Sequence, residues 1–221
     1  MEIRDALRAT ASVRTFVAKS VDDMVVRDIL DDARFAPSGG NRQPWRVALV
    51  KNPVIRRRLA DEMKPVWNAY VSLAQTGRTP FAVVDGAPAL TTRPVDVPFA
   101  LIDDIESVPV VLAVAADLSR IATMDAELPR PALSGGGSIY PFCWSILLAA
   151  RSRGLGGVMT TFATRAEPTT GPLLGLPKGH ALAATLFLGP VDNHVTKLRR
   201  NPVDSFATID RFDGPPLPSG T

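Results

Sequence analysis

Cysteine, histidine and aromatic residues are scarce in this chain, and each shortage closes off a class of chemistry. Among 221 residues there is one cysteine, Cys143, so no internal disulfide can form. The only two histidines, His180 and His194, stand apart from any cysteine or carboxylate at ligand spacing, which argues against a metal site. Aromatic residues make up 6% of the chain, too few to interleave with basic charge as nucleic-acid binders do. The longest apolar run, Val108 to Ala116, has nine residues and contains Pro109. A membrane span needs roughly 18 to 20. The opening MEIRDALRAT carries charge where a secretory leader has an apolar core, and with the lone thiol it predicts a cytoplasmic protein.

Catalytic signatures are missing as well. No GxxxxGK[ST] exists to make the glycines at 135–137 a phosphate loop, and GLGGVM at 154–159 lacks the third glycine of a Rossmann fingerprint. No GxSxG marks a serine hydrolase. Cys143 falls in the middle of an apolar helical stretch and reads as a small core residue. The pairs Asp22-Asp23, Asp31-Asp32 and Asp103-Asp104 put neighbours on different faces, which suits caps and solvated surface rather than a catalytic dyad. With almost no acid, base or nucleophile on offer, the chemistry points to a cofactor and no catalytic side chain is assigned.

What is present is an ordinary globular composition, 46% hydrophobic and 21% charged, with charge unevenly spread. Net charge is +5 over residues 1–60, −5 over 61–150 and +3 over 151–221. If the two basic ends meet, they can form an anion site. Helical spacing predicts a short helix over 2–10, a second from an Asp22 cap to about Phe35, and a third from Pro53 to about Leu73. Strands are expected at Arg46–Lys51, Val108–Ala116, Val158–Phe162 and Ala181–Leu188, and a short helix at Pro168–Leu176. Residues 139–153 read as a helix that is apolar nearly all round; a chain this small has little room to cover it, and a subunit interface is a natural place to bury it. The order of elements is not a regular βαβ alternation, so α+β is the expected class, with residues 1–221 as one domain. Residues 76–106, rich in proline and without a sustained period, are expected to form a lid. Phe81, Phe99, Arg78 and Arg93 are its candidates for covering a planar molecule and touching an anionic group. The tail at 201–221 is too rich in proline to fold alone, so it wraps a partner subunit or frays.

Three segments occur in a telling order: SVR at 12–14, PSGGNRQPW at 37–45 and GLGG at 154–157, followed by KLRR at 197–200. On these motifs the chain resembles the nitroreductase-like FMN-dependent oxidoreductases, the resemblance covering roughly residues 2 to 204. The resemblance implies a central, mostly antiparallel sheet flanked by helices, and an intertwined homodimer with FMN at the subunit interface. It assigns the flavin phosphate and its surroundings to Ser12, Val13, Arg14, Lys197 and Arg199. Pro37, Ser38, Gly39, Asn41 and Gln43 it places against the flavin of the other subunit. Gly156 and Gly157 it brings to the ring, where a Cβ would block backbone N–H groups. One departure stands out: the family commonly has an arginine before the serine, in RxSxR or RRSxR, but here Thr10-Ala11 precede Ser12. Arg8 or Arg200 are the candidate substitutes.

The activity implied is an NADH- or NADPH-dependent reduction of small-molecule acceptors, nitroaromatics or quinones, in two steps through the flavin. Reductive dehalogenation, flavin breakdown and FMN binding without turnover are the alternatives. Neither nucleic acid nor membrane is an expected partner.

Overall fold

The structure, a computed structural model, describes residues 1–82 and 95–218. Its elements in chain order are α1 (Ile3–Ala9), α2 (Asp23–Ala33), β1 (Trp45–Leu49), α3 (Pro53–Gln75), α4 (Ala100–Asp103), β2 (Val110–Asp117), α5 (Tyr140–Ser152), β3 (Leu155–Thr160), α6 (Phe162–Arg165), α7 (Glu167–Leu173) and β4 (His180–Pro190). The strands form a four-stranded antiparallel sheet in the order β1-β2-β4-β3, which with the helices on its faces is the expected α+β class. Among the described residues no helix is long and apolar enough to cross a membrane.

Both faces of the sheet are covered, which explains why β2 reads as a continuous apolar run rather than an alternating one. Val110, Leu112, Val114 and Ala116 turn toward α2 and α5, while Val111 and Ala113 pack with residues of α3 and α4. The capping chemistry follows the sequence. Asp22 accepts from the Met24 amide at 2.7 Å to start α2, and Asn52 accepts from Val54 and Ile55 just before Pro53 opens α3. Trp45 of β1 stacks on Phe142 of α5 with ring centroids 4.6 Å apart, contributing about 0.5 to 1.5 kcal/mol beyond area burial. Arg56 is buried under α3, where its guanidinium donates to the carbonyls of Val50, Glu106, Val108 and Pro109.

Several expectations need correction. The strand expected at Val158–Phe162 runs instead from Leu155 to Thr160, so Gly156 and Gly157 lie inside the sheet and Phe162 begins α6. The expected helix at Pro168–Leu176 is α7, from Glu167 to Leu173. The region 76–106 is not one irregular excursion. Residues 83–94, and Arg93 with them, lie outside the described residues, but Leu101, Ile102 and Ile105 are core residues on α4 and the following turn. Those turns are too short to carry a helical period. Phe99, expected on a lid, stacks on Trp67 at 4.2 Å, and Val97 is clamped to α3 by hydrogen bonds with Lys64, Trp67 and Asn68. Phe81 sits under the Arg165 guanidinium. Proline does not keep the tail from local order either: Ile209 donates to Pro215 and Leu217 to Ala207, closing a small hairpin.

Candidate functional site

The segment after α1 leaves the helix at Thr10, whose hydroxyl donates back to the Ala6 carbonyl. It then runs beside the edge strand β3, with Ser12 forming a parallel bridge to Gly157 and the Val13 amide donating to the Gly157 carbonyl at 2.9 Å. Ser12 and Arg14 are exposed there, and the Arg14 guanidinium folds back to within 3.5 Å of the Ser12 carbonyl. A Cβ on Gly156 would meet Val191 at 2.6 Å, and one on Gly157 would meet Leu188 at 2.5 Å and Leu147 at 2.9 Å. Both glycines are therefore required by the packing of the chain itself. Close approach of a flavin ring, the reason the resemblance suggests for them, is not needed to account for them.

The late basic segment returns to the same place. His194 donates from Nε2 to the Gly154 carbonyl at 3.1 Å, the only proton placement that makes this contact a hydrogen bond. Beyond it, Thr196, Lys197, Leu198 and Arg200 face Leu7, Arg8 and Ala9 of α1 and Arg151 of α5 across a cleft of about 770 Å³. The two basic ends of the chain thus meet. The cleft is lined by Arg8, Arg151, Lys197 and Arg200 against one carboxylate, Asp5. Arg199 does not line it; the carbonyl of Arg199 instead accepts from the Arg200 guanidinium at 2.7 Å. Arg14 does not line it either and stands on the bridge segment, one residue beyond Val13. Arg151 was not singled out in the sequence. Its signal was a cation at the end of an otherwise apolar helix, three residues before the glycine that stops it.

The Pro37–Gln43 loop is built elsewhere on the chain. Its backbone takes left-handed conformations at Gly40, Asn41 and Gln43, with φ of +60°, +53° and +48°. For the non-glycine pair this is uncommon and demands local support. The Ser38 hydroxyl accepts from the Gln43 amide at 3.0 Å, Gln43 Nε2 donates to Asn41 Oδ1 at 3.1 Å, and the Gly39 amide donates to Ser138 Oγ at 3.1 Å. Ser138 is in turn placed by the turn Ser134–Ser138, whose start is gripped by Asp125. The Asp125 carboxylate accepts from the Leu133 and Ser134 amides, the Ser134 hydroxyl and Arg130, and these bonds hold it well below the usual carboxylate range. Pro37, Gly39, Asn41 and Gln43 are exposed. None of them lines the basic cleft, so one chain brings together the Ser12 and Lys197 segments but leaves the loop outside them.

The one thiol is closed off. Burial pushes the Cys143 thiol up to about 12, so it stays protonated at neutral pH. Helix α5 buries Phe142, Cys143, Ile146, Leu147, Ala149 and Ala150, yet Tyr140 and Trp144 remain 41% and 38% exposed. A single chain covers only one side of this helix.

Comparison with known proteins agrees with this architecture. The sequence profile of the nitroreductase family matches residues 7–189. The chain is 27% identical to the nitrobenzene nitroreductase of Ectopseudomonas oleovorans, over 86% of this chain and 87% of that one. Among solved structures it is similar to the NADPH:FMN oxidoreductase of Vibrio harveyi in complex with NAD+, with a TM-score of 0.67, 20% identity, and 95% of this chain and 77% of that one covered. It is also similar to an oxidised iodotyrosine deiodinase bound to FMN and 3-iodo-L-tyrosine, with a TM-score of 0.63, 21% identity, and 91% and 96% covered.

Proposed function

The chain belongs to the nitroreductase family, and on that basis we propose that it is an FMN-dependent NAD(P)H oxidoreductase acting as a homodimer on nitroaromatic or quinone-like acceptors. The observation that carries this reading is the basic cleft at the meeting of the chain ends. A phosphate monoester dianion needs guanidinium or ammonium groups and a hydroxyl donor, and Arg8, Lys197 and Arg200 stand on the cleft with Ser12 on the bridge segment that follows α1. That donor set fits the tail of FMN. The flavin, when bound, supplies the hydride chemistry, accepting from a reduced nicotinamide and then reducing a second substrate in the same place.

The protein's part is binding, orientation and electrostatics. Arg14 is exposed on the strand extension, where its charge can stabilise an anionic ring. Residues 1–221 form one domain in this reading. The Pro37–Gln43 loop, preshaped by Ser38 and Ser138, presents Asn41 and Gln43 outward to a second copy. Tyr140 and Trp144 of α5, with the fully exposed Phe212 of the tail, are the apolar side chains that such a copy would cover. A permanent interface of this kind buries about 2,000 Å² or more.

Anaerobic kinetics test the reading. The purified protein is expected to be yellow, to release FMN on denaturation and to bleach with NADH or NADPH under nitrogen. A nitroaromatic or quinone should then restore the oxidised spectrum. Bleaching without reoxidation by either acceptor, but with reoxidation by a halogenated phenol, would replace this substrate class. A flavin-loaded monomer near 24 kDa by light scattering would remove the shared site.

A further inference from the structure

Two arginines close α5, and the structure treats them differently. Arg153 is committed: its guanidinium pairs with Asp32 at 2.6 Å and donates to the Ala149 carbonyl. Arg151 has no ion-pair partner among the described residues, and its Nε is buried without a hydrogen bond. A guanidinium N–H withdrawn from water and left unbonded is costly, more so than an exposed one. The side chain lines the basic cleft with Arg8, Lys197 and Arg200, and also a narrower recess with Ala11, Val13, Gly156 and His194. Arg151 therefore shares a recess with Thr10 and Ala11, the two positions before Ser12.

We propose that Arg151 is an anion-anchoring residue of this cleft, holding the phosphate monoester end of the flavin nucleotide from α5 in place of a cation in the Thr10-Ala11 pair. The assignment rests on the flavin reading above. Two features distinguish Arg151 from the other cations around the cleft. It is carried on a helix packed into the core, so its stem is already ordered, whereas Arg8, Lys197 and Arg200 are exposed. Its partly desolvated position strengthens any charge-assisted bond it makes. From Lys197 it differs also in its planar fork, which can meet two phosphate oxygens at once.

The test is flavin binding by the apoprotein, followed by flavin fluorescence, with FMN and riboflavin as the two probes. Riboflavin has the ring and ribityl chain but no phosphate. Arg151→Gln is expected to weaken FMN binding tenfold or more and to leave riboflavin binding unchanged, while Arg153→Gln should alter neither. Arg151→Met, which keeps an apolar stem against the core, is a second variant with the same expected result should Arg151→Gln fail to fold. Unchanged FMN affinity in a folded variant overturns the proposal, and so does an equal loss of FMN and riboflavin, which would mark Arg151 as structural. Failure of the unmutated protein to bind either flavin would overturn the flavin reading, and the assignment with it. That outcome is distinguishable because it precedes any mutation.

Discussion

The Val13 amide donates to the Gly157 carbonyl at 2.9 Å, and this bond fastens the basic segment after α1 to the edge of the sheet. The neighbouring Gly156 leaves room for the segment, since a Cβ there would meet the Val13 side chain at 3.1 Å. The Gly157→Ala Cβ would fall 2.5 Å from Leu188 and 2.9 Å from Leu147, and the Phe187 carbonyl at 3.2 Å leaves it no room to shift. The substitution is expected to cost about 1 to 3 kcal/mol of stability by overpacking, read from urea unfolding. It should also increase hydrogen exchange at the Val13 amide more than at the amides of β2.

Arg56 is a structural cation, despite standing in the run Arg56-Arg57-Arg58 on α3. It is 7% exposed, and burial works against its charge, while four backbone carbonyls accept from it. Arg56→Ala strands those carbonyls and is expected to lower stability by about 3 kcal/mol. Arg58→Ala, at an exposed position one residue from Leu59, should fall within about 0.5 kcal/mol of the unmutated protein. Thermal denaturation of the pair checks the contrast.

Arg14→Ala should lower FMN occupancy, measured by absorbance ratio after gel filtration, about tenfold to a hundredfold in affinity. Arg58→Ala is the control for surface charge, since Arg56 is too deeply buried to serve. Equal retention in the two variants would take Arg14 out of the site.

Asp125 makes the loop system sensitive to acid. Its carboxylate is held below the ordinary value of 3.8, first by the Leu133 amide and then by Ser134 and Arg130. A depressed folded-state value means that the charged group contributes stability in full above the unfolded value, and that the contribution is lost as pH falls below it. The melting temperature of the unmutated protein should therefore exceed that of Asp125→Asn at pH 6, and the gap should narrow by pH 3. Because Asp125 grips the turn carrying Ser138, the variant should also loosen the Gly39 amide in hydrogen exchange at neutral pH.

Much of the fold was legible in the sequence because its signals are local. The Asp22 cap, Pro53 at the start of α3 and the β-branched run of β2 report the backbone where they stand. Cys143 was read as a core residue from its neighbours on one helix. Gly156-Gly157 misled because glycine marks turns more often than strand interiors, and the atoms that exclude a Cβ there come from Val191, Leu188 and Leu147, distant in sequence. The short turns at 100–107 were missed for want of length, though their side chains are among the most buried in the chain.

By itself the sequence determined that both ends are basic and which motifs carry the family resemblance. Tertiary structure alone decided that the ends meet, that Arg200 and Arg151 rather than Arg199 line the cleft, and that the Pro37–Gln43 loop lies outside it. The physical reason is the pairing of β3 with β4 and of Ser12 with Gly157. Those contacts join positions far apart in the chain, and no local pattern of residues encodes the distance between two cations that a sheet edge brings together.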